Sequence, residues 1–268
     1  MNKNKKRILI CGISIVLIIG ILGGMFSFYK LYRIQKAQAK QLTQLLGQVD
    51  YLDERLTQSI EYYDFETEYR EDTFNYFAIG NSLTLIKSWG RGICSTQPDN
   101  DYFNLVIKSL ENKYGEVVAY PYNFSSWERM SNREKAYSLI DSYLSEDLDL
   151  VTIQLGENVT DLSTYEVDLE KLVAHVKEKC PKATIVMVGD WWSNEKNALR
   201  KTAANNSGVL FADLSEVIGD SSYQSEVGLE CYKSDGSTII VSEAAASHPG
   251  DKGMEYIAKT IIKELGIE

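Results

Sequence analysis

Short apolar runs alternate with amphipathic stretches from residue 76 onward. Five runs have the length and composition of buried strands, at 76–79, 117–120, 150–155, 184–188 and 209–212. Apolar residues recur with helical spacing at 103–114, 130–145, 163–179, 195–206 and 253–265. This alternation of strands and helices predicts a mainly parallel sheet that is covered by helices on both faces.

A long helical pattern precedes this region, between Lys30 and about Arg70. Its apolar positions are Leu42, Leu45, Leu46, Val49, Leu52 and Leu56. We interpret residues 30–72 as a helical stalk that either packs on the domain or pairs weakly with a second copy. The heptads are too few to predict a coiled coil.

The segment from Ile8 to Phe28 contains no charged residue and is long enough to cross a bilayer as a single helix. A cleaved signal peptide is the rival interpretation, but its apolar region would be shorter and a small-x-small cleavage site should follow. We find no convincing site of that kind. We therefore expect a cytoplasmic tail and transmembrane anchor at 1–29, the stalk at 30–72 and a globular domain at 73–268.

The charges are distributed unevenly along the chain. The formal net charge of −10 argues against a nucleic-acid binder. Because the first 40 residues hold eight of the 28 basic residues and none of the 38 acidic ones, the remainder carries a net charge of −18. A basic N-terminal segment followed by an acidic remainder favours contact of that segment with anionic lipid.

The orientation in the membrane is less well determined. Four basic residues lie on each side of the apolar segment, so the positive-inside rule barely discriminates between the two orientations. An extracytoplasmic domain at the cell surface is our default expectation.

The cysteines give no sign of a metal site. Cys94, Cys180 and Cys231 lie outside the apolar segment, so at least one of them is unpaired within a monomer. None has the spacing of metal ligands, and we expect neither a metal nor a cofactor.

Chemically useful side chains follow the predicted strands, where ligands bind in parallel sheets. These residues are Ser82 after the first strand, Asn123, Ser125 and Ser126 after the second, Gly156-Glu157-Asn158 after the third, and Asp190-Trp191-Trp192 after the fourth. A serine hydroxyl needs a nearby base to act as a nucleophile. The chain has two histidines, and His175 lies in an amphipathic helical stretch. His248, just before the last helix, is therefore the candidate base.

Three blocks in order carry a resemblance to a known family. Gly80-Asn-Ser-Leu-Thr84, Gly156-Glu-Asn158 and His248-Pro249 resemble the conserved blocks of the SGNH (GDSL-like) hydrolases. That resemblance implies a three-layer αβα, flavodoxin-like fold and esterase or deacetylase activity. It also implies that Ser82 is the nucleophile and first oxyanion donor, that Asn158 supplies a side-chain donor, and that His248 is the base.

The chain departs from the family pattern at two places. The second block usually holds a glycine whose amide completes the oxyanion hole, whereas this chain has Tyr122-Asn-Phe-Ser-Ser-Trp-Glu128, where the amide near Ser125 or Ser126 is the candidate. The aspartate usually found three residues before the histidine is replaced by Ala245. Either Glu243 or a main-chain carbonyl near Ala245 then orients the ring, and we favour a Ser–His dyad.

The expected function is that of a membrane-anchored serine esterase. The substrate expected by family analogy is an O-acyl group, above all O-acetyl, on cell-surface or exported carbohydrate. Trp127, Trp191 and Trp192 are candidate sugar contacts, and Asp235-Gly236 predicts a hairpin that covers the site. The alternatives are an O-acetyltransferase and a non-catalytic glycan-binding module on a degenerate hydrolase fold.

Overall fold

The computed structural model describes residues 24, 27–43, 45–46, 48 and 65–267. The chain divides into two compact units, Met1–Arg55 and Leu56–Glu268. In the first unit, residues 27–43 are helical. Most of the predicted membrane span from Ile8 to Phe28, and the stalk residues 49–64, lie outside the described residues. No helix within the described ranges is both long and apolar enough to cross a membrane.

The stalk helix predicted to reach about Arg70 does not continue through residues 65–70, which have no regular secondary structure. Phe65 and Tyr69 instead pack against the core of the second unit. The Phe65 ring lies 4.5 Å from the Tyr143 ring, and the Tyr69 hydroxyl donates to the Tyr143 carbonyl at 3.0 Å. These tertiary contacts outweigh the local helical pattern, so this stretch belongs to the globular domain.

The second unit is built on a five-stranded parallel sheet, as predicted. Its strands are β1 (Phe74–Gly80), β2 (Val117–Asn123), β3 (Leu150–Gln154), β4 (Thr184–Val188) and β5 (Leu210–Ala212). Their order across the sheet is β2-β1-β3-β4-β5, and each neighbouring pair is parallel. This is the doubly wound order of flavodoxin-like folds, which confirms the α/β, parallel-sheet part of the predicted fold class.

Helices cover both faces of the sheet. They are α1 (Tyr102–Tyr114), α2 (Ser125–Arg129), α3 (Tyr165–Lys179), α4 (Asn194–Ser207) and α5 (Asp251–Leu265). Successive residues of a strand point to opposite faces, and β1 shows this directly. Tyr76 and Ala78 pack against α1 and α5, whereas Phe77 and Ile79 pack in the core beneath α3 and α4. The result is the predicted three-layer arrangement.

One predicted helix is wrong. Residues 130–145 form two 3-10 segments, Arg133–Leu139 and Asp141–Tyr143, instead of an α-helix. Ala136, Ile140 and Tyr143 are buried in the core, which accounts for the helical spacing. Serine and aspartate residues at 138, 141 and 142 favour turns over a continuous helix.

The predicted hairpin is present as the strands β6 (Glu230–Tyr232) and β7 (Thr238–Ile240), which pair antiparallel. Gly236 in the turn has a φ of +80°, a conformation that favours glycine. Cys231 of the hairpin joins a small separate core with Trp89, Ile93 and Cys94, from the loop that follows β1. The hairpin is thereby fixed to that loop.

Candidate active site

The candidate residues meet at the carboxyl end of the sheet. Gly80, the last residue of β1, lies level with Asn123 on β2 and Gln154 on β3. The loops that follow these strands therefore emerge side by side. Ser82 lies two residues beyond the end of β1 and is half-buried.

Asn81 folds the turn that presents Ser82. Its carbonyl accepts the amides of Thr84 at 3.0 Å and Leu85 at 2.9 Å, and its side-chain oxygen accepts the amide of Leu83 at 3.1 Å. Gly80 is needed before this turn because a Cβ there would collide with the Thr84 side chain. Backbone geometry therefore holds the serine between the strand end and the turn.

Ser82 and His248 are brought together across 166 positions of sequence. The Ser82 Oγ atom lies 3.5 Å from Nε2 of His248. Nδ1 of the same ring lies 2.9 Å from the carbonyl oxygen of Ala245. A carbonyl oxygen can only accept, so Nδ1 carries the proton and the Nε2 lone pair faces the serine. This is the tautomer that a general base requires.

The environment of His248 favours the neutral ring. Burial lowers the pKa of the imidazole below its ordinary value, and the hydrogen bond to Ala245 opposes that effect. The Trp192 ring lies edge-on to the imidazole, with 5.0 Å between the ring centroids. This environment favours an imidazole whose Nε2 atom is free to accept a proton.

Of the two proposed means of orienting the ring, the structure has the main-chain carbonyl of Ala245 at Nδ1. Glu243, the candidate third member of a triad, is exposed, and among the described residues no hydrogen bond joins its side chain to His248. The candidate role of Glu243 is thus not supported, because residues 243–247 form a turn that brings a carbonyl to Nδ1 instead.

Glu128 links the first and third blocks, a role that the sequence analysis missed. This side chain on α2 is almost fully buried. Its carboxylate accepts from Asn81 Nδ2 at 3.0 Å, from the Gly156 amide at 2.5 Å, and from Asn158 through both its amide at 3.4 Å and Nδ2 at 2.6 Å. One carboxylate thus ties together the loops after β1 and β3. The sequence offered one indication that Glu128 belongs to the site, which is its position within the Asn-Phe-Ser-Ser-Trp-Glu segment.

The candidate oxyanion donors differ in whether their N–H groups already have a hydrogen-bond acceptor. Asn158 is half-buried, and one of its two side-chain N–H groups is used by Glu128, which leaves the other for a ligand. Ser126 is buried in the first turn of α2, where backbone amides lack helical partners. The neighbouring Ser125 amide is occupied by the Asn123 side chain at 3.0 Å. Ser126 is therefore the better candidate of the two for the missing glycine amide.

The three tryptophans predicted as sugar contacts lie in different environments. Trp127 is completely buried and packs against Tyr165, so it is not a substrate contact. Trp191 is also buried, and its indole N–H donates to the Ser247 carbonyl at 3.0 Å, next to His248. Trp192 alone among them is exposed, at 37%. Of these candidates, only Trp192 can meet a sugar.

A buried ionic cluster supports the third block. Arg200 is fully buried, and its Nη2 atom lies 2.9 Å from both Glu157 and Asp190. Glu157 also accepts from Asn81 Nδ2 at 2.6 Å. Burial raises the pKa of the Asp190 carboxyl, and the charge of Arg200 opposes the rise. Asp190 in turn accepts the Trp192 amide at 2.8 Å, so the cluster holds the exposed indole as well as the strand ends.

His175 lies on α3, as expected, and its Nε2 atom is 2.7 Å from an oxygen of Asp141. No group of three or more side chains suited to a metal ion is present in the part of the chain that the structure describes.

No protein-family model and no curated protein matches the chain. Among solved structures, it is similar to phospholipase A1 from Streptomyces albidoflavus, with 13% identity and a TM-score of 0.47 over 72% of this chain and 99% of that one. It is also similar to a protein described as a GDSL-like lipase from Parabacteroides merdae, with 14% identity and a TM-score of 0.47 over 76% and 100%. A third similar structure is Axe2, an acetylxylan esterase from Geobacillus stearothermophilus, with 15% identity and a TM-score of 0.47 over 74% and 98%.

Proposed function

We propose that the chain is an SGNH-type serine ester hydrolase, with Ser82 as nucleophile and His248 as general base. The observation that carries this proposal is the 3.5 Å separation of Ser82 Oγ from an Nε2 lone pair whose tautomer Ala245 fixes. Catalytic hydrogen bonds are often long before substrate binds and tighten in the reacting complex. The three blocks in family order give independent support.

Acylation follows from this geometry. Ser82 Oγ attacks the ester carbonyl carbon while its proton passes to Nε2 of His248. The tetrahedral intermediate then collapses: the bond to the alcohol oxygen breaks, and that oxygen leaves with the proton from Nε2. The acyl group remains on Ser82. In the second half, His248 takes a proton from water, the resulting hydroxide attacks the acyl carbon, and the proton returns to Ser82 Oγ as the acid leaves.

The oxyanion of each intermediate needs N–H donors that are fixed before reaction. The Ser82 amide, the free N–H of Asn158 and the Ser126 amide are the proposed donors. Glu128 fixes Asn158 by accepting from its amide and its side chain together, so the donor is held in place without substrate.

The proposed substrate is an O-acyl, above all O-acetyl, group on carbohydrate. Trp192 supports it, because an exposed indole beside the base offers a face on which a sugar ring can stack. Acetylated oligosaccharides should therefore be better substrates than long-chain lipid esters. Release of acetate from a panel of acetylated glycans, measured beside release of fatty acid from lipid esters, tests this choice.

We also propose that the segment from Ile8 to Phe28 anchors the protein as a single-pass membrane helix, with the domain outside the cytoplasm. Its lack of charge over that length supports the anchor. Alkaline extraction of membranes should leave the chain in the pellet, and protease treatment of intact cells should digest the domain. A protein found free in the medium would contradict the anchor, and a fully protected domain would reverse the orientation.

Hydrolysis of p-nitrophenyl acetate by the purified full-length protein, compared with its Ser82→Ala variant, tests the enzymatic proposal. The parent protein should hydrolyse the ester. The variant should lose activity by several orders of magnitude, since triad-type nucleophiles contribute a factor of roughly 10⁶ to kcat. Equal rates in the two proteins would reject the esterase and favour a glycan-binding module.

A further inference from the structure

Cys94 lies against the carbonyl that orients the base. Its Sγ atom is 3.3 Å from the carbonyl oxygen of Ala245, the same oxygen that accepts from Nδ1 of His248. The main-chain amide of His248 donates to this oxygen as well, at 2.9 Å. Three donors therefore share one acceptor, and the thiol contributes a weak S–H bond from outside the turn. Cys94 is buried in the small core that also contains Trp89, Ile93 and Cys231.

The backbone at Cys94 connects this carbonyl to the nucleophile. The amide of the preceding residue, Ile93, donates to the Ser82 carbonyl at 3.0 Å. The contacts form a closed ring that runs from the Ser82 main chain through Ile93 and Cys94 to Ala245, then through His248 back to Ser82 Oγ. Each contact constrains the separation of nucleophile and base.

The conformation of Cys94 indicates that a side chain is kept there at some cost. Its φ of 75° makes it the one non-glycine residue with positive φ in the part of the chain that the structure describes. Glycine would adopt this conformation without strain, and strained backbone is often retained at functional sites. Burial also raises the pKa of the Cys94 thiol to about 12, so the S–H group persists at neutral pH.

We propose that Cys94 is a positioning residue, whose thiol holds the Ala245 carbonyl in place so that His248 keeps the tautomer and orientation of a general base. It does not touch the reacting atoms. In the absence of an aspartate at position 245, this contact constrains the carbonyl from outside its own turn, in addition to the two bonds from His248. The proposal rests on the catalytic roles proposed above for Ser82 and His248.

The test is nitrogen NMR of the histidine rings in the full-length protein, with Cys94→Gly as the main variant. The variant removes the thiol and also relieves the positive φ, so a loss of fold is not expected. The population of the Nε2-protonated tautomer of His248 should rise by roughly three- to tenfold, the ratio that loss of one hydrogen bond gives. His175, the other histidine in the chain, should be unchanged and serves as an internal reference.

Two further variants sharpen the test. Cys231→Ala removes a sulfur from the same small core and should leave the His248 signals as in the parent. Cys94→Ser keeps a donor and should give a tautomer ratio closer to the parent than Cys94→Gly does. Unchanged His248 signals in Cys94→Gly, or an equal change in Cys231→Ala, would overturn the proposal.

Kinetics provides a second measurement. In Cys94→Gly, kcat for p-nitrophenyl acetate should fall by roughly three- to tenfold with KM unchanged within about twofold. The NMR measurement of the His248 tautomer does not depend on whether the protein hydrolyses esters. Absence of hydrolysis by the parent would therefore reject the proposed function, whereas unchanged ring signals in Cys94→Gly would reject the role of Cys94.

Discussion

Nδ1 of His248 donates to the carbonyl oxygen of Ala245, three residues earlier, at 2.9 Å. A carboxylate usually occupies this role in serine hydrolases, where it fixes the tautomer and stabilises the imidazolium ion. A neutral carbonyl fixes the tautomer equally well but stabilises the charged ring less. The chain therefore contains a Ser–His pair whose orientation is set by the main chain.

Removing the nearby carboxylate should accordingly have little effect. In Glu243→Gln, kcat/KM should change by less than about tenfold, or about 1.4 kcal/mol, because Glu243 is exposed and the carbonyl already holds the ring. His248→Ala should lose roughly 10²–10⁴-fold, the usual contribution of a general base. Steady-state kinetics with p-nitrophenyl acetate measures both. A thousandfold loss of kcat/KM in a folded Glu243→Gln protein would show that Glu243 is the third member of a catalytic triad.

Replacing the buried carboxylate of Glu128 should have a large effect. Glu128→Gln puts an NH₂ group where four N–H donors now converge, so at least one donor loses its acceptor. If Asn158 is displaced, kcat should fall by roughly 10²–10³-fold, as when one oxyanion donor is removed, with a smaller change in KM.

Glu134→Gln is the matched control for this change. Glu134 is exposed and pairs with Lys171 at 2.6 Å on the surface, so its loss should leave kcat within about twofold of the parent. Thermal unfolding of both variants separates loss of the site from loss of the fold. A Glu128→Gln protein with parental kcat would show that Glu128 does not position the oxyanion donors.

The pH dependence of the reaction follows from the environment of His248. Only the neutral ring accepts the serine proton, so kcat/KM rises as the ring loses its proton. Burial lowers the pKa of His248 below its ordinary value, and the acid limb should therefore lie below about pH 6.5. A pH–rate profile of kcat/KM should be flat at neutral pH. A midpoint above pH 7 would contradict the proposed environment of the base.

Trp192 should affect carbohydrate substrates selectively. Trp192→Ala removes the exposed indole and should lower kcat/KM for an acetylated oligosaccharide by roughly tenfold, the value of one stacking contact of about 1–1.5 kcal/mol. The rate with p-nitrophenyl acetate should change much less. Tyr114→Ala is a suitable control, because Tyr114 is also exposed but stacks on Phe74 at the opposite end of β1. Equal losses on both substrates would argue against a sugar contact.

The strands were predictable because their signal is local. Residues 184–188 form β4 as predicted, and β1 and β2 differ from prediction by two to three residues at an end. A parallel strand buried on both faces reads as a continuous apolar run, so no tertiary information is needed to find it. The positions of Ser82 and His248 were predictable for a similar reason, since Ser82 lies just after β1 and His248 just before α5.

The supporting residues were not predictable in this way. Glu128 depends on partners 47 residues away at Asn81 and 30 residues away at Asn158, and its sequence position does not reveal that they converge. Trp127 and Trp191 are indistinguishable from Trp192 in the sequence. In the folded chain, however, the first two are buried by tertiary contacts and Trp192 is exposed. The contact of Cys94 with Ala245 likewise joins positions 151 residues apart.

Covalent labelling of Ser82 tests the central claim most directly. A fluorophosphonate reacts with an activated serine and stays attached, so peptide mass spectrometry of the labelled full-length protein identifies the nucleophile. The proposed mechanism predicts one adduct, on Ser82, formed much more slowly in His248→Ala and at an unchanged rate in Glu134→Gln. An adduct on another residue, or an unlabelled Ser82 in a protein that still hydrolyses p-nitrophenyl acetate, would contradict it.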